Sequence, residues 1–135
     1  MGSFRSGDRV VAQKTTQTLT STSDGTGSGQ INDGVGFAMV SAQETDDDDI
    51  VTLPSTAAGK DVFIMAGVIC ELRCKTGEKS KSINGTAVNN GAGAQIKELA
   101  LAASTLYKCS CVSGTAWFVT KVPATGAPAG GGTPN

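Results

Sequence analysis

Apolar residues recur along the chain in short runs broken by Gly, Ser, Asn and Asp, and the runs mostly alternate. The clearest alternation is LYKCSCV (106–112), where Tyr107, Cys109 and Cys111 share one parity. Residues two apart on a strand point to the same face. The stretch therefore predicts a hairpin: TLYKCSCV as one strand, SGT as the turn and AWFVTKV as the return strand. INGTAVNNGAG (83–93) carries Asn84-Gly85 and Asn90-Gly91, and Asn-Gly is the strongest short-range hairpin signal. DVFIMAGVICELRCKT (61–76) is the longest apolar run, and Gly67 inside it predicts a bulge or bend within a long strand. FAMVSA (37–42) and IVTLP (50–54) are further strands, the second ended by Pro54 or placed by it at a sheet edge. RVVAQKTTQTLT (9–20) predicts one or two short strands. QIKELALAAS (95–104) fits helical spacing through Ile96, Leu99, Ala100 and Ala103, and strand alternation through Leu99, Leu101 and Ala103. The β context on both sides favours the strand.

Between these runs lie the breaks. STSDGTGSGQINDGVG (21–36) reads as a loop or flexible insertion, and QETDDDD (43–49) as a charged connection. Residues 1–8 are polar and predict a flexible arm. PATGAPAGGGTPN (123–135) has no large apolar side chain to bury, and predicts a disordered tail or an arm ordered only by a partner. The chain thus reads as one mainly β domain over 9–122, a small β-sandwich or barrel-like fold, with the arm before it and the Gly/Pro tail after it. Composition agrees: 18 Gly, 16 Thr and 12 Ser suit strands and turns, and the 135 residues suffice for one core.

Charge and residue type then remove whole classes of function. The net charge of −1 gives non-specific nucleic-acid binding little electrostatic support. The chain has no His, which removes the commonest general base and any Ser-His or Cys-His nucleophile made by this chain alone. No apolar run approaches the length of a membrane helix. MGSFRSGDRV lacks the apolar stretch of a secretory signal, so the thiols are expected in a reducing compartment.

Cys70, Cys74, Cys109 and Cys111 are the most suggestive side chains. If their two strands pair, four sulfurs line one side of a sheet, and a four-cysteine zinc site becomes geometrically conceivable. The spacing speaks against it. Structural zinc favours a C-x2–4-C knuckle, whereas C-x-C on a straight strand holds its Cβ atoms about 6–7 Å apart. Neighbours on one strand face also do not form a normal disulfide with each other, although cross-strand pairing stays open. Buried thiols acting as small hydrophobes are the favoured reading. Asp46, Asp47, Asp48 and Asp49, with Glu44, offer oxygen ligands for a hard cation but lack the EF-hand pattern, so a solvated turn is favoured. Lys75, Lys79 and Lys81 mix with Glu71 and Glu78 and do not make a nucleic-acid patch. Asn84-Gly85-Thr86 is a glycosylation sequon that reads better as a turn. No phosphate loop is present. No catalytic, cofactor-binding or metal residue is assigned.

Three segments together carry a family resemblance: IVTLPSTAAGKDVFIM, INGTAVNNGAGAQIKELALAAST and LYKCSCVSGTAWFVTKV. The shared pattern is a short strand ending in Leu-Pro (50–54), a turn with Ala58-Gly59 and an apolar strand (62–69). An Asn-Gly turn (83–85) and a closing strand bearing Gly-x-x-Trp (114–117) complete it. In this the chain resembles small β-rich virion proteins of tailed bacteriophages, above all head decoration or cement proteins, over roughly 50–122. The cysteines depart from the family pattern. The resemblance implies a non-enzymatic virion protein on the capsid exterior, assembled in the host cytoplasm. Its implied partners are the major capsid protein and copies of itself as a homo-trimer, with no nucleic acid, membrane, cofactor or small-molecule substrate. The alternatives are a head or tail fibre or spike module for a receptor or glycan, and a small four-cysteine metal-binding or redox protein.

Overall fold

The computed structural model describes residues 15–77, 81–88, 97–122, 129, 130 and 134. The protein is mainly β. Its strands, in chain order, are β1 (Thr15–Ser21), β2 (Val35–Gln43), β3 (Ile50–Thr52), β4 (Lys60–Ala66), β5 (Cys70–Arg73) and β6 (Lys81–Ile83). β7 (Thr86–Val88), β8 (Leu99–Leu101), β9 (Thr105–Ser113), β10 (Ala116–Lys121) and β11 (Ala129–Gly130) follow. They form two sheets. The larger runs β1-β2-β4-β9-β10-β6-β7, with β11 also paired to β10, and the smaller runs β3-β5-β8.

The chain shuttles between the sheets, from β2 to β3, back to β4, then across to β5. This is why β1, β2 and β4 are parallel neighbours: each return comes through the other layer. One core fills the space between the inner faces. Val40, Ile64, Tyr107 and Val119 come from the large sheet, and Val51, Leu72, Leu99 and Leu101 from the small one.

The hairpin of the alternating stretch is present as β9 and β10, with Cys109 opposite Val119 and Cys111 opposite Trp117. Tyr107, Cys109, Cys111, Trp117 and Val119 all face the core. The Tyr107 hydroxyl accepts the Ala102 N–H at 2.8 Å, which satisfies its one polar atom inside. β6 and β7 form the hairpin expected at Asn84-Gly85. Both turn residues have positive φ, 50° and 82°, the pair of left-handed conformations a type I′ turn requires. The ambiguous segment contributes a strand, β8; 91–96, which include Gly91 of the second Asn-Gly and the start of that segment, lie outside the described residues, as does the arm 1–8.

Three expectations change. Gly67 is a corner between sheets and not a bulge inside one strand: β4 ends at Ala66 in the large sheet, and β5 begins at Cys70 in the small one. At the corner the Gly67 N–H donates to Val40 O at 2.9 Å, and a Cβ there would lie 2.7 Å from that same oxygen. The stretch 21–36 is not a loose insertion. Thr22 bridges Ile50, Gln30 bridges Thr52, and Ile31 is fully buried. Gly25 makes this close packing feasible: its φ is +77°, and a Cβ would meet Thr52 Cγ2 at 2.5 Å and Ile50 Cγ2 at 2.7 Å. Finally, Ala129–Gly130 of the C-terminal tail pairs with Lys121 and Thr120 of β10, so this part of the tail is ordered by its own chain.

β10 has a gap in its outer pairing that a side chain fills. β6 runs beside Ala116 and Trp117, and β11 beside Thr120 and Lys121. Between them the Asn84 amide accepts the Val119 N–H at 2.8 Å and donates to Val119 O at 3.1 Å. It acts as the next peptide unit of β6 would. The Asn84 nitrogen of the sequon is thus engaged within the sheet.

Candidate functional site: the outer face of the large sheet

The cysteines do not converge. β5 and β9 belong to different sheets, so the single row of four sulfurs that a shared sheet would give does not form. All four are buried thiols outside any disulfide. Burial pushes the Cys70 thiol up to about 12, with Glu71 adding to the shift, and burial alone raises Cys109 further. At Cys70 and Cys109 a thiolate, the form that attacks or ligates, is therefore a trace species at neutral pH. Cys111 spends its S–H on Ser113 O at 3.0 Å. Trp117 is fully buried, and its Nε1 has no partner among the described residues.

The acidic run forms a closed turn. Asp48 N–H bonds to Asp46 Oδ1, the Thr45 N–H donates to Asp49 Oδ2, and Asp47 takes the Gln43 amide. No group of three or more Cys, Asp or Glu among the described residues is placed to hold a metal ion. A second polar cluster ties loops at the sheet ends. The Asp33 carboxylate accepts the Ser55 N–H, while Lys60 donates to Ser55 O and Lys75 to its hydroxyl. That backbone bond, with Lys60 and Lys75 nearby, holds Asp33 below the usual carboxylate range. These are internal fastenings.

The outer face of the large sheet is mostly apolar. The strands β1, β2, β4, β9 and β10 are successive in the large sheet, and their alternate residues point away from the core. One row across this outer face runs Thr16, Phe37, Phe63, Lys108 and Thr120; the next runs Thr18, Met39, Met65 and Leu106. Phe37 is 40% exposed and Phe118, two residues from Thr120, is 47% exposed, while Met39, Phe63, Met65 and Leu106 are half-buried. All three described phenylalanines lie on this face, whereas Trp117 and Tyr107 lie inside. Among the described residues, Lys108 and Asp61 bring charge to it. Compared with protein-family models, curated proteins and solved structures, the chain matches none.

The face was not singled out from the sequence, though a signal was there. FAMV (37–40) and VFIM (62–65) do not alternate. A strand apolar at both parities is one that both faces want covered. In the fold one parity, Ala38, Val40, Val62 and Ile64, fills the core, and the other is left outside. Contiguous apolar patches of this kind are common at protein–protein contacts. This one has the composition of an interface centre, Phe and Met, inside a rim of Thr, Ser and Lys.

Proposed function

We propose that the chain is a non-enzymatic structural protein of a virion that binds the outside of a capsid and stabilises it, as a decoration or cement protein does. The observation that carries the reading is the Phe–Met face on an otherwise self-contained β-sandwich. Among the described residues, polar side chains such as Asp33, Asp49 and Asn84 are engaged in the domain's own loops and sheet, and a largely apolar outer face suits work through protein contact. The partners are then the major capsid protein and copies of this chain, with a homo-trimer as the form the resemblance implies. Each copy contributes modest association energy, and a lattice multiplies it. The resemblance carried by the Leu-Pro strand, the Asn-Gly turn and the Gly-x-x-Trp strand supports the same reading.

A fibre module for glycans draws less support, because Trp117 and Tyr107, the aromatics best suited to stack on sugars, are in the core. A four-cysteine metal or redox protein has no assembled site among the described residues.

The test mixes the purified protein with expanded shells of the major capsid protein encoded in the same genome. Saturable co-sedimentation at a fixed number of copies per capsomer, with a higher shell disruption temperature, is expected. No binding at micromolar concentration and no thermal shift would sink the reading.

A further inference from the structure

We infer that Asn84-Gly85 is a deamidation site which the fold holds in check, and that ammonia is lost there when β6 lifts from β10.

Three observations carry this. First, the sequence supplies the reactants. Gly85 has no side chain, so its backbone nitrogen meets the least hindrance in reaching the Asn84 side-chain carbon. In the reaction the Gly85 nitrogen gives up its proton and bonds to Asn84 Cγ. The Cγ–Nδ2 bond breaks, and that nitrogen takes up a proton and leaves as ammonia. Solvent water then adds at either carbonyl of the cyclic imide. It opens the ring to aspartate or, with the chain rerouted through the side chain, to isoaspartate. Nothing is oxidised or reduced.

Second, the structure pins the reacting carbon. The Asn84 N–H donates to Trp117 O at 3.0 Å, Nδ2 donates to Val119 O at 3.1 Å, and Oδ1 accepts the Val119 N–H at 2.8 Å. With both ends of the amide bonded to the same residue of β10, Cγ cannot swing onto the Gly85 nitrogen while those bonds hold. Third, β6 is a strand that can open alone. Of its three residues only Ile83 is buried, and it meets β10 through two pairs, Ser82 with Ala116 and Ile83 with Trp117. Short segments of this kind open locally, at less cost than unfolding the whole domain.

The change is one-way. Aspartate at position 84 sets a carboxylate oxygen against Val119 O, and isoaspartate adds a backbone atom to a two-residue turn. Neither restores the closure of β10, so a molecule that stays open long enough to lose ammonia returns to a weaker sheet.

The test ages the protein at mildly alkaline pH in native buffer and across a urea series. Peptide mass spectrometry reads aspartate and isoaspartate at position 84, and Asn90-Gly91 in full denaturant is the internal reference. In denaturant Asn84 and Asn90 should convert at similar rates. In native buffer Asn84 should convert at least about tenfold more slowly than in denaturant. Urea below the unfolding midpoint should speed conversion, and so should Ile83→Ala, which removes the buried anchor of β6. Hydrogen exchange at the Val119 N–H should rise in step in both cases. Circular dichroism checks that the variant is folded, and the wild-type urea series decides the matter if it is not. Asn84 converting in native buffer as fast as in denaturant would overturn the inference. So would conversion that stays slow while Val119 exchange accelerates, because the bonds to Val119 would then not be the guard.

Discussion

Asn84 offers the sharpest test of how the large sheet is held together. Its amide makes two hydrogen bonds to the backbone of Val119, a residue with no exposed surface, where β10 lacks a strand neighbour. Asn84→Gly removes both bonds and keeps the positive φ of 50° comfortable. A net hydrogen bond contributes about 1 kcal/mol, and a buried group left unpaired costs about 1–3 kcal/mol. The expected loss is therefore about 2–4 kcal/mol. Asn84→Asp retains the acceptor for the Val119 N–H but turns a carboxylate oxygen toward Val119 O. At pH 7 it should cost about as much as the glycine variant, since one bond becomes a repulsion. On acidification the introduced carboxyl gains a proton that Val119 O can accept. Its folded-state pKa is thus raised above the unfolded value, and the stability it confers is present below the unfolded pKa and lost as pH rises through the folded one. The assay is urea unfolding followed by the fluorescence of Trp117, the only tryptophan, between pH 3 and pH 7. A glycine variant within about 0.5 kcal/mol of wild type would mean that Asn84 does not hold β10 in place, and so would an aspartate penalty that does not relax with falling pH.

Other consequences follow from single positions. Gly25→Ala places a methyl group against Thr52 and Ile50 at positive φ; about 1–2 kcal/mol of backbone strain and about 1–3 kcal/mol of overpacking should appear as a lower urea midpoint. Burial, with Glu98 and Asp48 nearby, raises Glu71 above its ordinary 4.5 despite Arg73, so its charge destabilises the fold at neutral pH. Glu71→Gln should raise the melting temperature at pH 7, and the gain should vanish below pH 4.5. Asp33 has the opposite sign: its lowered pKa gives stability that is present above pH 3.8 and lost below it, so Asp33→Asn should cost stability at pH 7 and little in strong acid. Alkylation of the native protein should leave Cys70 and Cys109 unmodified, and all four cysteines should react in denaturant; rapid native labelling of Cys109 would contradict its placement in the core.

How much of this was legible in the sequence depends on the range of the interaction. The parity of Tyr107, Cys109 and Cys111, the turn at Asn84-Gly85 and the SGT turn are local, and each appears where its residues put it. The partition of cysteines between sheets is not local. Nothing in ICELRC says that the chain has turned a corner at Gly67 and joined the other layer, because strand pairing is decided by residues tens of positions away. The packing of 21–36 depends on Ile31, an apolar residue in a polar run whose N–H donates to Thr52 O of β3, a partner about 20 residues on. Asn84 was visible as a turn former but not as a filler for β10, since Val119 lies 35 residues on. The outer face was legible in principle: FAMV and VFIM, apolar at both parities, already ask for two covered faces.

The central claim is that this protein acts through the outer face of its large sheet. Peroxide oxidation of Met39 and Met65, followed by peptide mass spectrometry, tests it most directly, because both sulfurs lie on that face and oxidation needs access. Rates would be measured on dilute protein and on protein bound to shells. Binding is expected to slow oxidation of both methionines at least tenfold. Equal rates in the free and bound protein would place the working surface elsewhere.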